Sequence, residues 1–147
     1  MPLRDYLEKE VVSCRSEDNI GHVAALMQKR DVGAVVVTEA GRPVGIVTDR
    51  DIAIRCVAEG LDCSTTNAGQ IMSPSVETVT LDQGIFEVVE HMRDAMIRRV
   101  PVVDERGEAV GLISFDDVFD LICEELNGLR EAIRPWRLTN KLSREAA

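Results

Sequence analysis

The sequence predicts a mixed α/β (α+β) fold built from two tandem β-α-β-β-α repeats packed with pseudo-twofold symmetry. Three observations carry this. The stretch Gly45-Ile46-Val47-Thr48-Asp49-Arg50-Asp51 returns as Gly111-Leu112-Ile113-Ser114-Phe115-Asp116-Asp117, 66 positions later. Upstream, Leu7, Val11, Ile20, Met27, Val32 and Val35 match Met72, Val76, Ile85, Met92, Ile97 and Val100 at a constant offset of 65. The one extra residue of the second copy falls before Gly107, the counterpart of Gly41, inside a turn, where insertions are best tolerated.

Each element follows from local pattern. A short helical lead opens each copy, at residues 3–8 and 67–72. An extended piece comes next, Val11–Cys14 and Val76–Val79. Then Ile20, Val23, Ala24 and Met27 recur at helical spacing, as do Ile85, Val88, Val89 and Met92. Asp18 and Asp82 stand where helix N-caps are wanted. Val32–Val37 and Pro43–Val47 read as a hairpin turning through Glu39–Arg42. Val100–Val103 and Ala109–Ile113 repeat it, with a glycine near each turn. A second helix starts at Asp49, with Ile52, Ala53, Cys56 and Val57 inward. Its counterpart starts at Phe115, with Val118, Leu121 and Ile122 inward. The expected boundaries are 3–60 for the first repeat, 61–66 for a junction, 67–126 for the second repeat and 127–147 for a C-terminal helical tail. An interruption is expected near Asn127-Gly128, and Pro135 should end the tail helix. Trp136 either folds back on the body or packs across a subunit interface, and residues 141–147 read as a frayed end.

Composition bounds the function. The 147 residues carry a formal charge of −9, which argues against nucleic acid or an anionic membrane as partner. No apolar run approaches the roughly 18 residues of a membrane span, and the first dozen residues lack a signal-peptide core. The expected compartment is the cytoplasm, where the four cysteines are thiols. Cys14, Cys56, Cys63, Cys123, His22 and His91 show no metal-ligand spacing. There is no P-loop and no recognisable nucleophile–base pair, so no enzyme activity and no cofactor are expected.

The repeated motif has two readings. A hydroxyl residue at a strand-to-helix joint, with backbone N–H groups beside it, suits a phosphate, and a carboxylate can accept from both hydroxyls of a cis-diol. Thr48-x-x-Asp51 and Ser114-x-x-Asp117 also have the spacing of a helix capping box, with Asp in place of Glu.

The duplicated frame, both G-h-h-[ST]-x-x-D segments, Met72-Ser73-Pro74 and Pro101-Val102-Val103-Asp104 resemble a pair of CBS (cystathionine β-synthase-type) domains, a Bateman module, of the small stand-alone bacterial kind. The resemblance covers residues 3–126. It implies a regulatory site for an adenosine-containing nucleotide, AMP, ADP or ATP, with S-adenosylmethionine as a further possibility. It assigns ribose contacts to Asp51 and Asp117 and phosphate contacts to Thr48 and Ser114. It lays the base against Val11–Cys14 (Ser13 and Cys14 above all) and Gly33–Val35 (Gly33 and Ala34), with Val76–Thr78 (Thr78) and Arg99–Pro101 as the second set. Arg50, Arg98 and Arg99 are the candidate phosphate cations, with at most one of the last two expected to face the cleft. The first copy is favoured: it carries Arg50, whereas Phe115 could fill the second cleft and Asp116 repels phosphate. The resemblance also implies a homodimer that signals to a separate effector protein. The competing readings are a ligand-free oligomerisation protein and a metal- or redox-responsive protein acting through its cysteines.

Overall fold

The computed structural model describes residues 2–7, 10–74 and 77–145, with side chains described up to residue 136. Two compact units result, Met1–Ile113 and Ser114–Ala147. In the first, strand β1 (Ser13–Arg15) precedes helix α1 (Ile20–Arg30), and β2 (Ala34–Glu39) and β3 (Arg42–Thr48) form the hairpin. Helix α2 starts at Asp49 and continues over Ile52–Val57 in wider π-type winding. Helix α3 (Ala68–Ile71), β4 (Ser73–Pro74), β5 (Val79–Thr80), α4 (Ile85–Asp94), β6 (Arg99–Val103) and β7 (Ala109–Ser114) follow. The strands make a four-stranded sheet in the order β1-β2-β3-β4 and a three-stranded sheet in the order β5-β6-β7. β1 runs parallel to β2, and β5 to β6.

Val35, Val36 and Val37 of β2 are all buried, so this central strand is covered on both faces. Ile20, Val23 and Met27 of α1 pack with Val35, Val37 and Val47, and their counterparts Ile85, Val88 and Met92 are buried on α4. The β2–β3 turn is a tight two-residue loop, Ala40 and Gly41, both at positive φ (49° and 79°), the geometry that matches strand twist. The longer β6–β7 loop absorbs the extra residue. Asp104 organises it, its Oδ1 accepting from the N–H groups of Arg106 and Glu108 at 2.9 Å each.

The leads pack crosswise, which the repeat pattern did not reveal. The N-terminal turn Leu3–Asp5 belongs to the first repeat in sequence, yet it docks on the second. Leu3 N–H donates to Gln83 O and Arg4 N–H to Leu81 O, both at 3.0 Å, and Arg4 pairs with Asp82. Conversely, Ala68 and Ile71 of α3 enter the first repeat's core, and β4 pairs with β3. The isolated bridges Pro2–Gly84 and Asn67–Asn19 are counterparts at the 65-residue offset, so the exchange obeys the pseudo-twofold. The two motif glycines serve this exchange. A Cβ on Gly45 would fall 2.5 Å from Met72 Sδ, and one on Gly111 would fall 3.2 Å from the Leu7 methyls. The hairpin tips also meet: Ala109 N–H donates to Gly41 O at 2.9 Å, and Arg42 lies against Gly107.

Several local expectations are corrected. Asn19, not Asp18, caps α1, accepting from His22 N–H at 2.8 Å; Asp18 instead accepts from Arg15 N–H in the preceding turn. Gly84, not Asp82, stands at the N-cap of α4; Asp82 lies two residues upstream and pairs with Arg4 instead. Ala53 and Val57 are exposed while Ile52 and Cys56 turn inward. The reason is the π winding, whose i→i+5 bonds (Ala58 N–H to Ala53 O, 3.0 Å) rotate the helix face.

The second unit is dominated by helix α5 (Phe115–Glu145), which is 31 residues long. It runs through Asn127-Gly128 and keeps Pro135 inside it, where a helix end was expected. An interior proline loses its own N–H bond and its ring crowds the carbonyl four residues back, a cost that a helix can relieve by kinking rather than ending. Within the helix Val118 is buried, but residues 124–136 are exposed all round.

Candidate functional site

The first copy of the motif sits where β3 ends and α2 begins. Ala34 and Thr48 are direct partners across the hairpin, and Asp49 N–H donates to Gly33 O at 3.0 Å. A Cβ on Gly33 would fall 3.2 Å from Asp49 Oδ2, so glycine admits that carboxylate. Gly33, Ala34, Thr48 and Asp51 are therefore drawn to one corner. Ser13 lies on the neighbouring strand opposite Val36, two residues along β2 from Ala34 and roughly 7 Å away. Cys14 points the other way, 5 % exposed and part of the core, which leaves only its backbone to a ligand. Burial, reinforced by the Asp18 charge, pushes its thiol pKa up to about 12.

The capping-box reading is realised in full. Thr48 donates from both N–H and Oγ–H to Asp51 Oδ2 (2.9 Å each), and Asp51 N–H donates back to Thr48 Oγ at 3.1 Å. Arg50 N–H donates to Asp49 Oδ1 at 2.8 Å. The N–H groups of Thr48, Asp49, Arg50 and Asp51 are thus all satisfied internally, and the expectation of free amides for a phosphate is not met in this copy. The remaining oxygen of Asp51 is different. Its Oδ1 lies 3.6 Å from Arg55 Nε, an ion pair too long for a good hydrogen bond, and the side chain is 14 % exposed. Arg55 in turn donates from Nη1 to Ile71 O at 2.9 Å, linking the box to the exchanged lead. Sequence reasoning missed Arg55, although its i+4 spacing from Asp51 is a legible signal. It also missed Asp49, which places an acidic group in the first copy just as Asp116 does in the second. Arg50 itself is exposed.

The second copy repeats the box. Ser114 N–H and Oγ–H donate to Asp117 Oδ2 at 2.7 and 2.5 Å, and Asp117 N–H returns a bond at 3.2 Å. Arg98 and Arg99 are exposed, Arg99 opening β6, and Thr78 is half-buried just before β5. Val76 lies outside the described residues. A shallow hollow of about 430 Å³ lies elsewhere, at the hairpin end of the first sheet, between Arg15, Glu17 and Thr38–Gly41. It is four residues along β2 from the Ala34–Thr48 pair, roughly 13 Å, and is no part of the motif.

The sulfurs and imidazoles form no metal centre among the described residues, which hold no group of three or more His, Cys, Asp or Glu placed for an ion. His91 Nε2 lies 3.0 Å from Glu77 Oε2. Cys56 and Cys63 face each other with sulfurs 3.2 Å apart, and this contact, with burial, raises the Cys56 thiol pKa.

The sequence profile of the CBS domain matches residues 3–57 and 68–124. The chain belongs to the CBS domain family. Its two matched segments make it a tandem CBS pair. It is 33% identical over 114 residues to the uncharacterized protein MK0525 of Methanopyrus kandleri, covering 77% of this chain but 58% of that one. The chain therefore spans little more than half of that relative. Among solved structures it is similar to the CBS domain protein PAE2072 from Pyrobaculum aerophilum complexed with AMP, at 34% identity and a TM-score of 0.70, over 80% of this chain and 89% of the other. It is also similar to the CBS domain pair of protein MJ0100 in complex with 5'-methylthioadenosine and S-adenosyl-L-methionine, at 26% identity and a TM-score of 0.73, over 85% of this chain and 98% of the other.

Proposed function

We propose that this CBS pair is a regulatory module that binds an adenosine-containing nucleotide, AMP, ADP or ATP, at the Thr48–Asp51 corner. It acts in the cytoplasm as a homodimer and passes its state to a separate effector protein. The observation that carries the reading is the divided Asp51 carboxylate. Oδ2 is locked into the helix box, which fixes the group in space, while Oδ1 is only loosely held by Arg55. An oxygen so presented can accept from a ribose diol without undoing the helix start. The bound adenosyl ligands of two solved CBS relatives support the same chemistry.

A ligand hydroxyl on Oδ1 competes with Arg55 Nε, and Arg55 also holds Ile71 O of the exchanged lead. Binding thus has a route to an element carried by the other repeat. It becomes allostery when the two states differ in affinity for the effector.

A second reading of the ligand is favoured by Asp49 and by the internally satisfied N–H groups. These disfavour a phosphate and suit an adenosyl compound without one, such as S-adenosylmethionine or 5'-methylthioadenosine. Thermal melting with each compound separates the two. A phosphate site ranks AMP, ADP or ATP first, and the alternative ranks the sulfur compounds first. In either case Asp51→Ala removes more of the ligand-induced shift than Asp117→Ala. The reverse order refutes the choice of copy.

A further inference from the structure

Helix α5 carries a heptad seam that the nucleotide reading does not use. Phe115, Phe119, Ile122, Leu126, Leu129, Ile133 and Trp136 alternate at spacings of four and three, so every a and d position over three heptads is apolar. All but Ile122, which is half-buried, are exposed large hydrophobics; Leu129 is 62 % and Trp136 78 % accessible. The two residues that weaken helices, Gly128 and Pro135, both fall at position c, off the seam. The α5 stretch 124–136, exposed all round and holding a glycine and a proline, lacks the packing that normally sustains a helix in water.

We propose that this seam pairs with the same helix of a second copy of the chain, in parallel, over Phe115–Trp136. The charges name the occupant. Glu131 and Arg134, on the outer face, pair with each other at 3.2 Å. Glu125 falls at g and Arg130 at the following e, the two positions that meet across a parallel pair, so the sequence is complementary to itself. The paired stretch rises about 32 Å along the helix axis. The inference specifies a surface for the homodimer proposed above and is independent of the ligand reading.

Trp136 is the only tryptophan and sits at a d position, so its fluorescence reports the seam directly. The test combines light scattering with Trp136 emission on dilution of the full chain, for the native protein and for the double variant Leu126→Glu/Leu129→Glu. The native chain is expected to associate, with apolar-environment emission that shifts to that of a solvated indole on dilution. The variant is expected to show solvated emission throughout and association weaker by roughly a hundred-fold or more, even where another interface holds the copies together. Arg130→Glu should weaken pairing, and adding Glu125→Arg should restore it. A native monomer, a dimer with solvated Trp136, or shielded Trp136 in a monomer each overturns the proposal. Failure of the charge restoration overturns the parallel orientation. The ligand-induced melting shift should persist in the double variant, so loss of one property leaves the other separately judged.

Discussion

Replacing Gly45 by alanine strikes the joint between the exchanged lead and the first repeat. The new Cβ would lie 2.5 Å from Met72 Sδ, 3.0 Å from Met72 Cγ and 2.9 Å from Ser73 O. The thioether can swing aside. The carbonyl cannot, because Ser73 is in β4, which is held to β3 by the Gly45–Pro74 and Ile46–Ser73 pairs. Overpacking of this kind costs about 1–3 kcal/mol, and a fixed backbone atom puts Gly45→Ala in the upper half of that range. For a chain of this size that lowers Tm by roughly 5–10 °C. Gly111→Ala is the internal control. Its Cβ meets the mobile Leu7 methyls at 3.2 Å and Val102 Cβ at an ordinary contact distance of 3.6 Å, so it should cost less than about 1.5 kcal/mol. Urea unfolding of both variants, with m-values checked, decides. If Gly45→Ala is neutral within about 0.5 kcal/mol, or Gly111→Ala is the worse of the two, the crosswise packing of the leads is wrong.

Three further outcomes follow from the geometry. The Cys14 thiol pKa is raised in the fold, so its contribution to stability is fully present below the unfolded value of 9.0 and is lost as pH rises toward about 12; Cys14→Val should flatten the fall in urea midpoint over that window. Removal of the Asp51 acceptor leaves two Thr48 donors without their bond, so Asp51→Ala should cost about 1–2 kcal/mol in ligand-free melting, and a neutral result would mean the box does not hold the helix start. Met96 is held at φ 57° and is 91 % exposed, so Met96→Gly should raise stability by up to about 1 kcal/mol, whereas a loss would mean the α4 terminus is not left-handed in solution.

The fold was legible because its signals are local. Ile20–Met27 and Ile85–Met92 show their helical stripe within a single window, and the valine run of β2 marks a strand covered on both faces. The exchange of leads was not legible. Leu3–Asp5 and Ala68–Ile71 each carry a pattern that would fit either repeat, and only tertiary contact chooses. Gly45 and Gly111 were visible as a repeated pair, but their cause, Met72 and Leu7 lying on them, is non-local. The continuation of α5 past Pro135 overrode a strong local stop signal. At the site, residue types and spacing located Thr48 and Asp51 together. They did not show that the first-turn amides are already used, because that depends on Asp49 bonding Arg50 N–H and on Gly33 O accepting from Asp49. The π winding after Asp51, which moves Ala53 and Val57 outward, likewise has no residue signature of its own.

The central claim is that an adenosine-containing ligand binds this CBS pair through Asp51. Its most direct test is the melting temperature of the full chain with and without AMP, ADP, ATP, S-adenosylmethionine and 5'-methylthioadenosine, repeated on Asp51→Ala. At about a hundred times the dissociation constant a bound ligand stabilises by about 2.7 kcal/mol, a rise of roughly 5–11 °C here. Such a rise is expected with at least one of these compounds, with most of it lost in the variant. No shift with any of them at millimolar concentration, or an undiminished shift in Asp51→Ala, contradicts it.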